Sequence, residues 1–326
     1  MKRPILAAVA LAAAAAPATA SAASIEVATV NGSPVVQYRA AAGEVNALEM
    51  HGTADGSNDL RMPFFEFSAP LTVGPGCSGA FPVLCGAVDQ GMPVDVALGD
   101  RGDVASVNSQ VGTVAMNAGS GGDDVLAGGV DATADGESGN DSIRLVANNV
   151  ATGTGGSGDD RVGAGSGAAE ATLTGGLGND LVVPAASLFN VGSGGSGNDR
   201  LVSFGGFTVR LSGQSGFDVL TAPSGDGSIT LDGGSGGDIV VSHVGGVTAL
   251  GGSGIDWIDV HGGSETAPDS VSCGSNLDLV FADAGDEVGG DCELRVNRAA
   301  PALPIVTAAE RAARDLLAHT PDPSAR

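Results

Sequence analysis

Nine aspartates recur through the middle of this chain at nearly equal steps: Asp124, Asp141, Asp160, Asp180, Asp199, Asp218, Asp238, Asp256 and Asp278. Each closes a short glycine-rich phrase, Gly-Gly-x-Gly-x-Asp. The phrase is clearest at Gly155 to Asp160, Gly175 to Asp180, Gly194 to Asp199, Gly233 to Asp238 and Gly251 to Asp256. Four places into each copy stand Gly122, Gly139, Gly158, Gly178, Gly197, Gly216, Gly236, Gly254 and finally Asn276. Only glycine or asparagine enters the left-handed region cheaply, so this slot reads as a backbone kink that turns peptide carbonyls inward. Carbonyls and carboxylates are hard oxygen donors. Calcium accepts about six to eight of them in flexible geometry, whereas magnesium demands a stricter octahedron. The candidate metal ligands are therefore the nine aspartates together with the loop residues Gly156, Gly158, Gly176, Gly178, Gly195, Gly197, Gly234, Gly236, Gly252 and Gly254.

A period near nineteen residues implies a solenoid, because each repeat must stack on the next to bury its apolar side. Two places after each aspartate come Leu126, Ile143, Val162, Val182, Leu201, Leu220, Val240, Ile258 and Val280, apolar in every copy. With the strand period of two, aspartate and apolar residue share a face, so each loop leads its strand into a common interior. The second half of each coil, as at Ala171 to Thr174, Thr208 to Leu211, Ile229 to Leu231 and Val247 to Leu250, has strand character without an aspartate phrase. A row of carboxylates stacked at the rung spacing repels itself, by about 1 kcal/mol per pair in water and about 4 at the effective dielectric of a protein surface. Metal binding and folding are thus expected to be coupled.

On these residues the chain resembles the hemolysin-type, or repeats-in-toxin, calcium-binding repeat, Gly-Gly-x-Gly-x-Asp-x-apolar-x. The resemblance covers roughly half the sequence and implies an all-β, right-handed parallel β-roll with Ca2+ between successive turns, held by the aspartates and loop carbonyls. The usual member carries two nonapeptides per coil and calcium on both edges. This chain carries one, which implies a single calcium row on one edge. Ser120, Glu137 and Gln214 replace the second glycine, and Cys273 and Asn276 alter the last copy, so sites there are expected to be weak or absent.

The flanks divide the chain into four parts. Residues 1–23 carry Lys2 and Arg3, an apolar run from Ile5 to Ala16 and the small residues Ala20-Ser21-Ala22, the pattern of a secretory signal. Its removal leaves twelve arginines against 38 acidic residues, a formal −26. That balance argues against nucleic acid and anionic membrane as partners and for cations. Residues 24–96 read as a small β module that caps the first coil, with a hairpin turn at Asn31-Gly32. Residues 97–292 are the repeats. Within them Gly99 to Asp103 looks like an imperfect first coil, one residue short and doubtful as a site. In residues 293–326, Pro301 and Pro304 make a linker and Thr307-Ala-Ala-Glu310 has the form of a capping box. A short helix follows, ending before Pro321, placed over the end of the roll or left as a frayed tail.

Four cysteines in an exported chain suggest bridges. Three pairings are possible, and spacing favours Cys77 with Cys85 and Cys273 with Cys292. The segments around both pairs, and Ala42 to Asn46, also resemble secreted actinobacterial calcium-binding proteins of this kind.

Two catalytic motifs match only in form. Gly233 to Gly237 fits Gly-x-Ser-x-Gly and Gly153 to Gly158 fits a dinucleotide fingerprint, yet both are copies of the repeat without a strand-turn-helix setting. His51, His243, His261 and His319 are scattered, and the lone Trp257 and Tyr38 offer no stacking platform. The expectation is a secreted, non-enzymatic calcium-binding protein. A calcium-dependent adhesin or carbohydrate-associated module, docked on a cell-surface or matrix polymer, is the alternative.

Overall fold

The computed structural model describes residues 22–51, 60–66, 71–79, 82–88, 92–108, 112–262 and 267–321. Most of the segment expected to be a signal lies outside them.

From Val94 onward the chain winds as a solenoid of two alternating strand series. One series runs from Val104–Asn108 through the first halves of the long strands Asp124–Asp135 and Ser142–Ser157, whose second halves belong to the other series, then through Arg161–Ala164, Leu181–Pro184, Arg200–Phe204, Val219–Ser224, Ile239–Val241 and Trp257–Asp259 to Leu279–Phe281 and Leu294–Val296. The other runs from Val94–Ala97 and Val114–Asn117 through Glu170–Leu177, Phe189–Ser196, Thr208–Ser215, Ser228–Ser235 and Val247–Ser253 to Ser270–Ser275 and Glu287–Val288. Each strand pairs in parallel with its counterpart one coil on, as Leu201 does with Leu220 and Val209 with Ile229.

The interior is narrow and apolar. Ile143, Val162, Val182, Leu201, Leu220, Val240, Ile258 and Val280 are all fully buried and face Ala171, Leu173, Val209, Leu211, Ile229, Leu231 and Ala249 from the other series. Each such side chain contributes about 1.5–3 kcal/mol of burial, which is why the apolar slot after the aspartate is filled in every coil. In the second coil Val125 occupies that slot instead of Leu126, whose backbone neighbour Arg144 belongs to the outward-facing set.

At the N-terminal end the direction of the sheet reverses. The expected hairpin forms, with Ser24–Val30 antiparallel to Ser33–Arg39 and positive φ at Asn31 (52°) and Gly32 (84°). Ser33–Arg39 then stacks in parallel on Val94–Ala97, and Ala47–His51 stacks on Val104–Asn108. The cap therefore supplies a rung of its own, continuous with the repeats. Both favoured disulfides are present, Cys77–Cys85 across an antiparallel pair and Cys273–Cys292 at the far end.

The helix departs from expectation in its start and its place. It spans Pro304–Ala318, with extended Leu303 at the N-cap and no side-chain cap. Proline at the first helical position is pre-set for helix and has no N–H to satisfy, so it wins over Thr307, which lies inside the helix and forms no capping box. The helix lies along the flank of the roll, neither over its end nor free. Ala309, Ala313 and Leu316 pack on Leu181, Val183, Val202, Val219, Ile239 and Val241, the outward side of the first strand series. Gly163 makes room there, since a Cβ on it would come within 2.9 Å of Leu316.

Candidate functional site

The loops that join the second series to the first form one rim of the roll, and the aspartates line its inner side. Asp103, Asp123, Asp141, Asp160, Asp180, Asp199, Asp218, Asp238, Asp256 and Asp278 are buried there. Eight of the nine predicted aspartates take this place. The exception is Asp124, whose place belongs to Asp123: Asp103 N–H donates to Asp123 Oδ1 and Asp123 N–H to Asp141 Oδ1. Asp124 instead is the first residue of the strand Asp124–Asp135, half-buried on its outer side, and meets His319 at 2.8 Å. The loop frame there starts at Ala118, so the left-handed residue is Gly121 and not Gly122. Asp103 corrects a second expectation. Leu98 occupies the first position of its loop, no residue is missing, and Asp103 stands in the row.

Two residues per loop hold the kink. The second and fourth positions both have positive φ, as at Gly156 (112°) and Gly158 (131°), Gly234 (104°) and Gly236 (131°), and Gly252 (107°) and Gly254 (136°). Gly176, Gly178, Gly195 and Gly197 repeat the pattern. Glu137 (64°) and Gln214 (75°) adopt it without being glycine, and so does Asn276 (93°). Their loops keep their aspartates in the row, so the replaced glycines do not break the geometry.

A hydrogen-bond ladder runs through the carboxylates. The Asp141 N–H donates to Asp160 Oδ1, Asp160 to Asp180, Asp180 to Asp199, Asp199 to Asp218, Asp218 to Asp238 and Asp238 to Asp256, all at 2.8 Å. The row is closed at one end by Asn46, whose N–H donates to Asp103 Oδ1 and whose Oδ1 accepts from the Tyr38 hydroxyl. At the other end Asp278 N–H donates to Glu293. Neither terminus belongs to the repeat phrase, and sequence reading missed both. A lone Asn or Glu carries no period to reveal it.

Each ladder bond uses Oδ1 only. The Oδ2 atoms of Asp141, Asp160, Asp180, Asp199, Asp218, Asp238, Asp256 and Asp278 are buried with no hydrogen-bond partner among the described residues. Those of Asp141, Asp160, Asp180, Asp199, Asp218, Asp238 and Asp256 lie beside the glycine that opens their own loop, where the pairing between coils skips a position, passing from Asp232–Leu250 to Gly234–Gly252. A Cβ placed on Gly233 would lie 2.6 Å from Asp238 Oδ2 and 2.6 Å from the Gly251 carbonyl oxygen. On Gly251 it would lie 2.5 Å from Asp256 Oδ2 and 2.6 Å from the Cys273 carbonyl oxygen, and on Gly155 2.5 Å from Asp160 Oδ2 and 2.7 Å from the Gly175 carbonyl oxygen. A carboxylate oxygen of one coil and a main-chain carbonyl of the next thus crowd one spot, with no donor between them. Two buried acceptors with no protein donor need a proton, a water or a cation between them.

The protonation equilibria register the same tension. Burial, the largest cause, pushes Asp141 and Asp180 up to about 7 and Asp199, Asp218 and Asp238 up to about 6. Adjacent carboxylates push the same way, and the ladder N–H opposes them. Asp160, Asp256 and Asp278 shift upward for the same leading reason.

Among the described residues no three His, Cys, Asp or Glu side chains converge as a metal cluster. A cation on the rim would therefore be held by one carboxylate from a coil together with loop carbonyls, a donor set of hard oxygens that fits calcium rather than zinc. The histidines do other things: His243 meets Asp259 at 3.2 Å and His261 meets Asp283 at 3.3 Å. Buried polar residues on the opposite edge include Asn190, bonded to Ala186 and Gly205, and Asp269, which accepts from Val247 N–H.

No family model, curated protein or solved structure matches the chain. No helix among the described residues is long and apolar enough to cross a membrane.

Proposed function

We propose that this chain is an exported, non-enzymatic calcium-binding protein whose folding is coupled to the ion. The observation that supports it most is the row of buried, unpartnered Oδ2 atoms beside carbonyls of the next coil. Calcium supplied there would neutralise the row and join each coil to its neighbour, which is the role that the resemblance to hemolysin-type repeats implies. Two disulfides fit an oxidising compartment, in keeping with residues 1–23 acting as a secretory signal. Calcium outside cells is abundant enough to fill sites of about 10⁻⁴ to 10⁻³ M affinity, while the cytosol would leave them empty. The chain would then be loose before export and set after it.

Calorimetric titration of the mature chain with calcium, paired with circular dichroism and hydrodynamic radius in calcium and in excess chelator, tests this. Saturable uptake with compaction is expected. A compact β spectrum that ignores both calcium and chelator would sink the reading.

A further inference from the structure

Beside the aspartate rim a groove of about 640 Å³ runs along the roll, with the helix as its far wall. Ala308 and Ala312 are the helix residues that line it, and their small side chains keep it open. Its floor carries Arg161 and Arg200, which share one row of the sheet with Leu181 between them. Both are held by their backbone N–H groups, on the Asp141 and Asp180 carbonyls, but neither guanidinium has a hydrogen bond or ion pair among the described residues, although acidic residues outnumber basic ones 38 to 14 in the chain. Asp315 and Arg161 both line the cavity at the groove's end without forming a pair.

The rim side of the groove is a second ladder, exposed and mostly amide. Asp159 N–H donates to Asn140 Oδ1, Asn179 N–H to Asp159 Oδ1 and Asn198 N–H to Asn179 Oδ1, at 2.8–2.9 Å. The Asn140 oxygen is thereby used, while its amide N–H₂ has no partner among the described residues and is left as a donor in the groove. Rungs of a parallel sheet are about 4.8 Å apart, so two rungs separate the arginines by about 10 Å, the pitch at which an extended glycan presents every second sugar ring.

We infer that this groove binds an extended acidic polysaccharide, with carboxylates on alternate sugars paired to Arg161 and Arg200 and hydroxyls bonded to Asn140 and Asp159. Arginine is suited to this because its planar fork takes a carboxylate in bidentate fashion. The net charge of the chain does not forbid it, since exposed charges are screened beyond about 8 Å at physiological salt. Asp159 sets one exposed carboxylate in the groove against the two guanidiniums. The larger obstacle is Asp141, Asp160 and Asp180, which also line it. The inference rests on the calcium reading in this one respect: the ion removes their charge, so glycan should bind better in calcium than in chelator.

The test is calorimetry of the mature chain with a hyaluronan hexasaccharide, which carries a carboxylate on every second sugar, against the same hexasaccharide with its carboxyls reduced to alcohols. Both are run in calcium and in chelator, after calcium has first been titrated alone. Expected are binding of the acidic hexasaccharide in calcium, at least tenfold weaker binding of the reduced form, and a loss of at least tenfold in Arg161→Ala/Arg200→Ala with an unchanged calcium titration and β spectrum. No binding of the acidic form, or equal binding by the double variant, overturns the inference. So does equally tight binding of an inorganic polyphosphate, which would make the groove a general polyanion site. Calcium uptake without glycan binding refutes this inference alone, and absent calcium uptake refutes the calcium reading alone.

Discussion

The backbone N–H of Asp218 donates at 2.8 Å to Oδ1 of Asp238, one coil further on, while Oδ2 of Asp238 lies buried without a partner beside the carbonyl of Gly251. One oxygen holds the stack together and the other asks for a counter-charge. Replacing that second oxygen by an amide separates the two tasks. In Asp238→Asn the ladder acceptor remains, the new N–H₂ can donate to the Gly251 carbonyl, and repulsion from neighbouring carboxylates falls. In chelator the variant should be more stable than the parent by roughly 1–3 kcal/mol. In calcium the order should reverse, because one ligand is gone. Denaturant unfolding in both conditions reads the crossing.

Acid should act in opposite directions with and without the ion. In the metal-free chain the folded carboxyls titrate at about 7 for Asp141 and Asp180 and about 6 for Asp199, Asp218 and Asp238, against an ordinary value of 3.8. The folded state therefore holds more protons than the unfolded one across that window. Stability contributed by these groups is fully present below about pH 4 and is lost as the pH rises through 6 and 7. With calcium, protons compete for the same oxygens, so affinity should rise over the same range. Melting temperatures between pH 4.5 and 8, in chelator and in calcium, should slope in opposite senses.

The left-handed slots predict unequal tolerance. In Gly236→Ala the methyl group would be driven against the Gly216 carbonyl oxygen at a φ of 131°, so a loss above about 2 kcal/mol is expected. Gln214→Gly should cost nothing and gain up to about 1 kcal/mol, since Gln214 already holds a φ of 75° with a side chain. Chemical denaturation of the calcium-loaded variants measures both.

Two removals probe the far parts of the fold. Cys273→Ser/Cys292→Ser opens a bridge between residues 19 apart and should lower stability by about 3 kcal/mol, with fraying confined to the last coil. Hydrogen exchange around Leu279–Phe281 and Leu294–Val296 would locate it. Leu316→Ala should weaken helix docking by about 2–5 kcal/mol of local stability while leaving calcium uptake intact. Faster exchange in Pro304–Ala318 with a normal calcium titration is the expected signature.

The repeat was legible because its signal is periodic. Aspartate and buried apolar residue recur once per coil and the left-handed residues twice, so the errors of single copies average out. Where two candidates stood side by side, as at Asp123 and Asp124, composition could not choose between them. The choice is made by the rung above, because Asp103 N–H needs an acceptor in register. The helix start was misread for a similar reason: a capping box and a proline at the first turn compete, and fixed φ prevails over a side-chain bond. Asn46 and Glu293 were invisible because each acts once, through contacts 57 and 15 residues away. The groove was hidden too, since nothing in the sequence says that the helix lies beside the rim rather than beyond the last coil.

The reversal of strand direction at Ser24–Val30 sets a limit on the molecule. A parallel stack could be lengthened by another copy laid edge to edge, yet one end is turned antiparallel by the hairpin, and the other finishes in strands as short as Glu287–Val288 and Leu294–Val296. Brief or mismatched edges make poor templates for a neighbour. The described coils thus make a stack of set count, a ruler marked in rungs rather than a link in a growing fibre.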